Sequence, residues 1–262
     1  MIRVGVVGAN GKMGRTVCRA VADDPDTSLV AAIDRSGVGE RIGPLVGHPD
    51  LDIRISDDRQ ILLQAETEVA VDFTHPDVAM DNVRWAIEHA VHIVVGTTGF
   101  TPQDLEEIRQ LLEKEGNASN IVIAPNFAIG AVLAERFASE ASRYLPAAEI
   151  IELHHDQKAD APSGTSLAAA RRIAAERAEK YRGPDRASLE GSRGGDLEGV
   201  RVHSVRLPGL VAHQEIILGG PGQVLTIRHD SMDRSSFMPG VLLAVKEVVR
   251  RPGLTVGLEP LL

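Results

Sequence analysis

Cysteine is nearly absent. Cys18 is the only one in 262 residues, which excludes an intrachain disulfide and a thiolate-rich zinc site and points to a reducing cytoplasm. Aromatic residues make up only 3%, so the core has to be built from Val, Ile, Leu and Ala. No apolar run approaches the roughly 18–20 residues of a membrane span. The first residues, Met1 to Val7, lack the long apolar stretch and cleavage site of a signal peptide. Positive charge is in deficit as well. A formal net charge of −9 argues against a nucleic-acid surface, which needs a basic patch. An anionic small molecule would therefore be drawn in by a local cationic cluster. With 43% hydrophobic and 25% charged residues, the chain reads as a soluble globular protein of one large or two modest domains.

What is present in abundance is alternation. Short β-branched runs at 2–7, 28–33, 69–73, 92–95 and 120–124 are separated by helical stretches at 15–22, 78–89 and 102–115. This order predicts an α/β architecture whose parallel sheet is covered on both faces. The pattern then changes. A helix over 130–144, a strand over 149–155 and a second helix over 165–180 precede a polar, glycine-bearing stretch, 181–199, read as a functional or disordered loop. Strand-like runs follow at 200–207, 213–218 and 223–230, with connections short enough for antiparallel pairing, and then a helix over 238–251. The expected organisation is a Rossmann-type parallel-sheet domain, 1–126, rejoined by 236–262. The expected second domain, 127–235, is α+β with a four-stranded, mainly antiparallel or mixed sheet.

Gly8-Ala9-Asn10-Gly11-Lys12-Met13-Gly14 joins the first strand to the first helix. Glycines let a backbone approach a pyrophosphate, and a helix start offers unpaired N–H groups and a favourable dipole. The spacing is G-x-x-G-x-x-G, with Asn10 where the commoner motif has glycine; Asn tolerates left-handed backbone angles better than most residues. Asp34 stands 20 residues after Gly14 at the end of the second strand, where a carboxylate would hold ribose hydroxyls. Arg35 and Lys12 are cations that would suit a 2′-phosphate, so use of both NADH and NADPH is expected.

The second informative segment runs from Glu152 to Thr165. His154, His155 and Lys158 end a strand, and Ser163-Gly164-Thr165 opens a helix whose N–H groups would seat a carboxylate. Histidine exchanges protons near neutral pH. A metal site at His154-His155-Asp156 is disfavoured because consecutive strand residues face opposite ways. Asp72-Phe73-Thr74 reads either as a strand end beside a cofactor or as a cap for the helix after Pro76.

The segment resembles the H-H-x-x-K-x-D-A-P-S-G-T signature of the dihydrodipicolinate reductases, also called 4-hydroxy-tetrahydrodipicolinate reductases. Further landmarks of that family occur in order: Gly8 to Gly14, Asp72-Phe73-Thr74, Gly96-Thr97-Thr98-Gly99-Phe100, Ala124-Pro125-Asn126-Phe127, and the stretch from Arg206 to Gly240. The resemblance implies an NAD(P)H-dependent oxidoreductase of lysine and diaminopimelate biosynthesis. It implies His154 as general acid/base, Lys158 as proton donor or substrate anchor, and His155, Ser163, Gly164 and Thr165 as substrate-binding. Cofactor contacts would fall on Gly8, Ala9, Asn10, Gly11, Lys12, Met13, Asp34, Arg35, Gly96, Thr97, Thr98, Ala124, Pro125, Asn126 and Phe127. A homotetramer built through the second sheet, a small dicarboxylate substrate, and two domains closing around it are implied as well. A dehydrogenase for another dicarboxylate such as aspartate, or a nicotinamide-sensing regulator, would share the first half of the chain but not the cluster from His154 to Thr165.

Overall fold

The computed structural model describes residues 1–262 except Arg182, Pro184 and Asp185. In chain order the first elements are β1 (Ile2–Val7), α1 (Lys12–Asp23), β2 (Thr27–Ile33), α2 (Ile42–Val46), β3 (Ile55–Ser56), α3 (Gln60–Gln64) and β4 (Val69–Asp72). Then come α4 (Pro76–Glu88), β5 (His92–Val95), α5 (Pro102–Lys114), β6 (Asn120–Ile123), α6 (Ile129–Ser142), β7 (Ala147–His154) and α7 (Gly164–Glu176). The chain continues through β8 (Gly195–Leu197), β9 (Val200–Arg206), β10 (Ala212–Gly220), β11 (Gln223–Ser231), α8 (Met238–Val248) and β12 (Gly253–Val256). It divides into two compact units, Met1–Phe127 with Phe237–Leu262, and Ala128–Ser236. Each boundary lies one residue beyond the position read from the sequence.

The first unit holds a seven-stranded sheet in the order β12-β6-β5-β4-β1-β2-β3, parallel throughout. Its strands are continuous apolar runs because helices cover both faces. Every residue of β4 and β6 is buried, and Val4, Val6, Val71 and Val94 are wholly inaccessible. Helix starts are marked in the sequence. Thr101 and Asp104 form a reciprocal capping box on α5, with Pro102 in its first turn, and Pro76 opens α4. Cys18 packs in this core, where burial pushes its thiol up to about 12, so it is no nucleophile at neutral pH.

Four elements of this unit escaped the sequence reading, among them the two-residue strand β3. Helices α2 and α3 are five residues each, too short to show a period. The last strand, β12, follows a helix that ends at Val248 rather than Arg251. Asn120 joins these parts: its amide donates to the Val248 carbonyl at 2.8 Å and accepts from the Gly253 N–H at 3.2 Å.

The second unit holds a five-stranded mixed sheet, β11-β10-β7-β9-β8, where four strands were expected. The extra strand, β8, lies within the stretch read as loop; residues 182, 184 and 185 of that stretch lie outside the described residues. Only β10 and β11 of the three C-terminal runs pair directly, through Pro221-Gly222 with Gly222 at φ +71°. Strand β9 instead runs parallel to β7, which separates it from β10. The 207–211 connection therefore crosses the end of β7, and the Leu207 N–H donates to the His154 carbonyl at 3.1 Å. One face of the sheet is closed by α6 and α7. Ala148, Ile150, Val202, Ile216 and Leu218 pack there against Ala138, Ala169, Ala170 and Ile173. By strand alternation the opposite face presents Ile151, Leu153, Val205 and Ile217, all only partly buried.

Candidate active site

Ligands of doubly wound sheets bind beyond the carboxyl ends of the strands, and the first unit gathers four such ends. Gly8 takes φ +81°, and a Cβ there would stand 3.0 Å from the Phe73 carbonyl oxygen. Gly14 admits no side chain at all: a Cβ would lie 1.9 Å from the Gly8 oxygen. A Cβ on Gly96 would enter the Phe73 ring at 2.1 Å. That ring meets Phe127 at a centroid distance of 5.7 Å, and the Thr97 hydroxyl donates to the Thr74 carbonyl at 3.3 Å. The ends of β1, β4, β5 and β6 are thereby packed into one floor, and Ala124 joins it through its N–H to Val95 O, 3.0 Å.

Beside this floor opens a cavity of about 500 Å³ lined by Gly8, Gly11, Asp34, Arg35, Asp57, Arg59, Phe73, Thr74, His75 and Asn82, among others. Glycines without room for a side chain, a helix start with no side-chain cap, and a carboxylate at the next strand end fit a dinucleotide. Burial pushes the Asp34 carboxyl up, yet donors from Ser36, Asn10 and Gly11 outweigh it and leave the pKa lowered. Asp34 is thus an anion at neutral pH, with 2.9 Å bonds from the N–H groups of Asn10 and Ser36.

The individual residues divide by role. Ala9 is buried and its N–H is held by Ile33 O at 2.9 Å, so it shapes the turn and does not donate outward. Asn10 does not take the left-handed conformation anticipated for it; Gly8 does. Its side chain instead braces the turn, donating to Ser36 O at 3.1 Å and accepting from Arg15 at 2.7 Å. Lys12 and Met13 begin α1, whose first N–H groups have no partner within the helix. Lys12 does not line the described cavity, whereas Arg35 does. Thr98 and Pro125 are exposed, and Asn126 is partly buried at the end of the floor. Asp72 proves to be a brace. Wholly buried, it accepts from Thr74 N–H at 2.7 Å, Thr74 O–H at 2.6 Å and Asn82 at 2.7 Å, while burial raises its pKa. Its neighbours Phe73 and Thr74 line the cavity.

Arg59 escaped sequence reading. It sits over the Trp85 ring at 5.9 Å and donates to Asn82 Oδ1 at 3.1 Å. Nothing in its local sequence marks it, because only the sheet brings it beside Asp34 and Arg35.

In the second unit, the end of β7 and the start of α7 form a separate cluster. Ser163 caps α7, its hydroxyl accepting from Ser166 N–H at 3.2 Å, and Ser166 donates to Gln214 at 2.5 Å. This buried chain fixes the helix start and leaves the first-turn N–H groups of Gly164 and Thr165 without helical partners. A Cβ at Gly164 would meet nothing within 4 Å, so there is open space beside that residue. His154 is partly buried and pairs through Nδ1 with Glu152. Burial lowers the His154 pKa; the Glu152 carboxylate opposes this, and Lys158 and Arg206 add to it. The Lys158 ammonium stands four residues further on. It donates to Asp160 at 2.7 and 2.8 Å. His155 is exposed, at the turn closed by Lys158 N–H to His155 O, 3.2 Å. Among the described residues no group of His, Cys, Asp and Glu is arranged to hold a metal, and no helix is long and apolar enough to cross a membrane.

A glycine turn that fits a dinucleotide on a parallel sheet, together with a histidine, a lysine and a helix start on a second sheet, fits an oxidoreductase. Residues 2–127 match the family model described as dihydrodipicolinate reductase, N-terminus, and residues 130–262 match its C-terminal counterpart. The chain belongs to the dihydrodipicolinate reductase family. It is 52% identical over 265 residues to the 4-hydroxy-tetrahydrodipicolinate reductase of Nocardia farcinica, covering 100% of this chain and 98% of that one. With the same enzyme of Mycolicibacterium vanbaalenii the identity is 49%, covering 100% and 99%. A dipicolinate-bound dihydrodipicolinate reductase from Paenisporosarcina sp. TG-14 superposes with a TM-score of 0.88 at 40% identity, covering 100% of both chains. An amine dehydrogenase from Mycobacterium smegmatis, 17% identical with a TM-score of 0.64 and covering 96% of this chain and 93% of its own, shares the fold alone.

Proposed function

We propose that this chain reduces 4-hydroxy-tetrahydrodipicolinate to tetrahydrodipicolinate in lysine and diaminopimelate biosynthesis, using either NADH or NADPH. The observation that carries the reading is the meeting of an imidazole, an ammonium and an open helix start at one end of the second sheet. The names borne by its relatives support the substrate. When bound, the nicotinamide supplies the hydride.

The chain's own residues do the rest. The first-turn N–H groups of α1, at Lys12 and Met13, hold the pyrophosphate beside Gly8 and Gly11. Asp34 and Arg35 take the adenosine end, and Gly96 to Thr98 with Ala124 to Phe127 take the other. Lys158 and the N–H groups of Gly164 and Thr165 hold the substrate carboxylates, with His155 at the rim. His154 or Lys158 gives a proton to the ring atom left electron-rich, which is general acid catalysis by a group positioned for it. The protein works in the cytoplasm as a homotetramer joined through the open face of the second sheet, where Ile151, Leu153, Val205 and Ile217 are only partly buried.

A spectrophotometric assay of cofactor oxidation with freshly generated substrate tests the activity. Oxidation that depends on that substrate is expected with each cofactor; none with either would overturn the reading. A monomeric mass in solution at micromolar concentration would overturn the assembly.

A further inference from the structure

Among the described residues, Glu152 is the most deeply buried carboxylate of the second unit, with no exposed surface. Its partners are all donors. Arg206 grips it with two bonds of 2.8 Å, one to each oxygen, and the Ser163 N–H donates to Oε1 at 3.2 Å. The Ser204 side chain also bonds to it, and His154 meets it through Nδ1. Arg206 reaches further, to the carbonyls of Asp160 at 2.6 Å and Lys158 at 3.3 Å. One carboxylate and one guanidinium therefore join the imidazole, the lysine loop and the start of α7. A bidentate arginine keeps a carboxylate ionised and acceptor-only, so the proton of the neutral imidazole has to sit on Nδ1, leaving the Nε2 lone pair outward.

We propose that Glu152, clamped by Arg206, is the positioning residue of this site: it fixes the tautomer and the ring orientation of His154 and holds that ring in register with the anion seat. The proposal rests on the reading of His154 as the acid/base. Neither Glu152 nor Arg206 acts on the substrate; both act through His154 and the 158–163 loop. Replacing the carboxylate by an amide gives the reverse arrangement. Arg206 and the Ser163 N–H both donate at the Oε1 position, so the amide oxygen takes that place, and its NH₂ takes the Oε2 place beside Nδ1 with the loss of one Arg206 bond. The imidazole proton is then driven to Nε2, the wrong tautomer, which in a related geometry costs a histidine base most of its activity.

The test is ¹⁵N spectroscopy of histidine-labelled, full-length protein, alongside kinetics. The chain has nine histidines, and loss of one set of signals in His154→Gln assigns the resonances. In the wild type, Nε2 of neutral His154 resonates as the unprotonated nitrogen. In Glu152→Gln the two nitrogens exchange character, the His154 titration midpoint falls because the carboxylate that raised it is gone, and kcat falls roughly a hundredfold with a smaller change in KM. Glu152→Asp keeps the buried charge and its arginine but shortens the reach; it gives a mixed tautomer and an intermediate kcat, and serves if the amide variant does not fold. A folded variant with the wild-type tautomer, or with kcat within twofold of wild type, overturns the proposal. His154→Gln with undiminished kcat would instead sink the role of His154, and the tautomer spectrum would still decide on Glu152, so the two failures are separable.

Discussion

The Lys158 ammonium donates to both carboxylate oxygens of Asp160, two residues along the same loop. Asp160 is largely exposed and Lys158 is mostly covered, so the carboxylate occupies the side of the lysine from which a ligand would arrive. If Lys158 anchors the substrate as proposed, a substrate carboxylate replaces Asp160 there. Asp160→Asn should therefore tighten dipicolinate binding, while the backbone carbonyl still receives Arg206. Pairs this exposed are worth about 0.2–1 kcal/mol, so the gain is at most about fivefold, read by calorimetry. Weaker binding would mean that Asp160 aims the lysine and does not compete with the ligand.

His154 and Lys158 should fail differently. His154→Gln removes a proton carrier and should lower kcat by about 10²–10⁴ with KM little changed. Lys158→Ala removes the charge proposed to anchor the substrate, so kcat and substrate affinity should fall together. Steady-state kinetics separates the two patterns. A Lys158→Ala enzyme with wild-type KM would remove the anchor role.

Gly14 is held to glycine by space. A Cβ would stand 1.9 Å from the Gly8 oxygen and 2.7 Å from its carbonyl carbon, both backbone atoms that cannot swing aside. Gly14→Ala should cost about 1–3 kcal/mol of stability, as overpacking commonly does, and should abolish measurable NADH binding by opening the turn. Thermal melting and cofactor fluorescence are the readouts. An alanine variant that binds cofactor normally would contradict the close packing of turn and helix.

Much of this was legible in the sequence, and the misses have physical causes. Buried parallel strands are uninterrupted apolar runs, so β1, β2, β4, β5 and β6 announced themselves. The helix starts at Pro76, Pro102 and Ser163 carry local signals, and His154, Lys158 and the Ser-Gly-Thr turn stand within a dozen residues of one another. Glu152, by contrast, opens the same segment and carries no local signal of a role. Its significance depends on Arg206, 54 residues away, and their pairing is set by the parallel register of β7 with β9. Local pattern holds no record of such a register. Asn10 was misjudged for a related reason: its role lies in bonds to Ser36 and Arg15, not in its own backbone angles.

Cofactor choice should rest more on Arg35 than on Lys12, two cations that the sequence left on equal terms. Arg35 lines the adenosine-side cavity with Asp34 and Arg59, and Lys12 does not. Arg35→Ala should weaken NADPH about tenfold, the worth of one charge-assisted bond, and leave NADH nearly unchanged; Lys12→Ala should affect both cofactors slightly. The wild type should prefer neither by more than roughly a thousandfold, about 4 kcal/mol. Kinetics of the three proteins with each cofactor decides it, and a larger preference would show that Asp34 repels the 2′-phosphate unopposed.

The charges around His154 predict that a dicarboxylate brings a proton with it. In the free protein burial depresses the imidazole pKa, the cations Lys158 and Arg206 depress it further, and Glu152 only partly offsets them, so the midpoint lies below the ordinary 6.5. A dianion seated on Lys158 and the α7 start adds negative charge beside the ring and raises that midpoint. Between the free and bound midpoints, binding must then take up a proton. By linkage, affinity strengthens as pH falls through the bound midpoint and levels off below the free one. Calorimetric titration of dipicolinate in two buffers of different ionisation enthalpy measures the uptake directly near pH 6, where both ligand carboxyls are ionised. Uptake should vanish in His154→Gln and persist in Lys158→Met with weaker binding. Zero uptake or proton release by the wild-type protein would mean that the ligand charge does not reach the imidazole, and His154 could not then be the group that answers to the substrate.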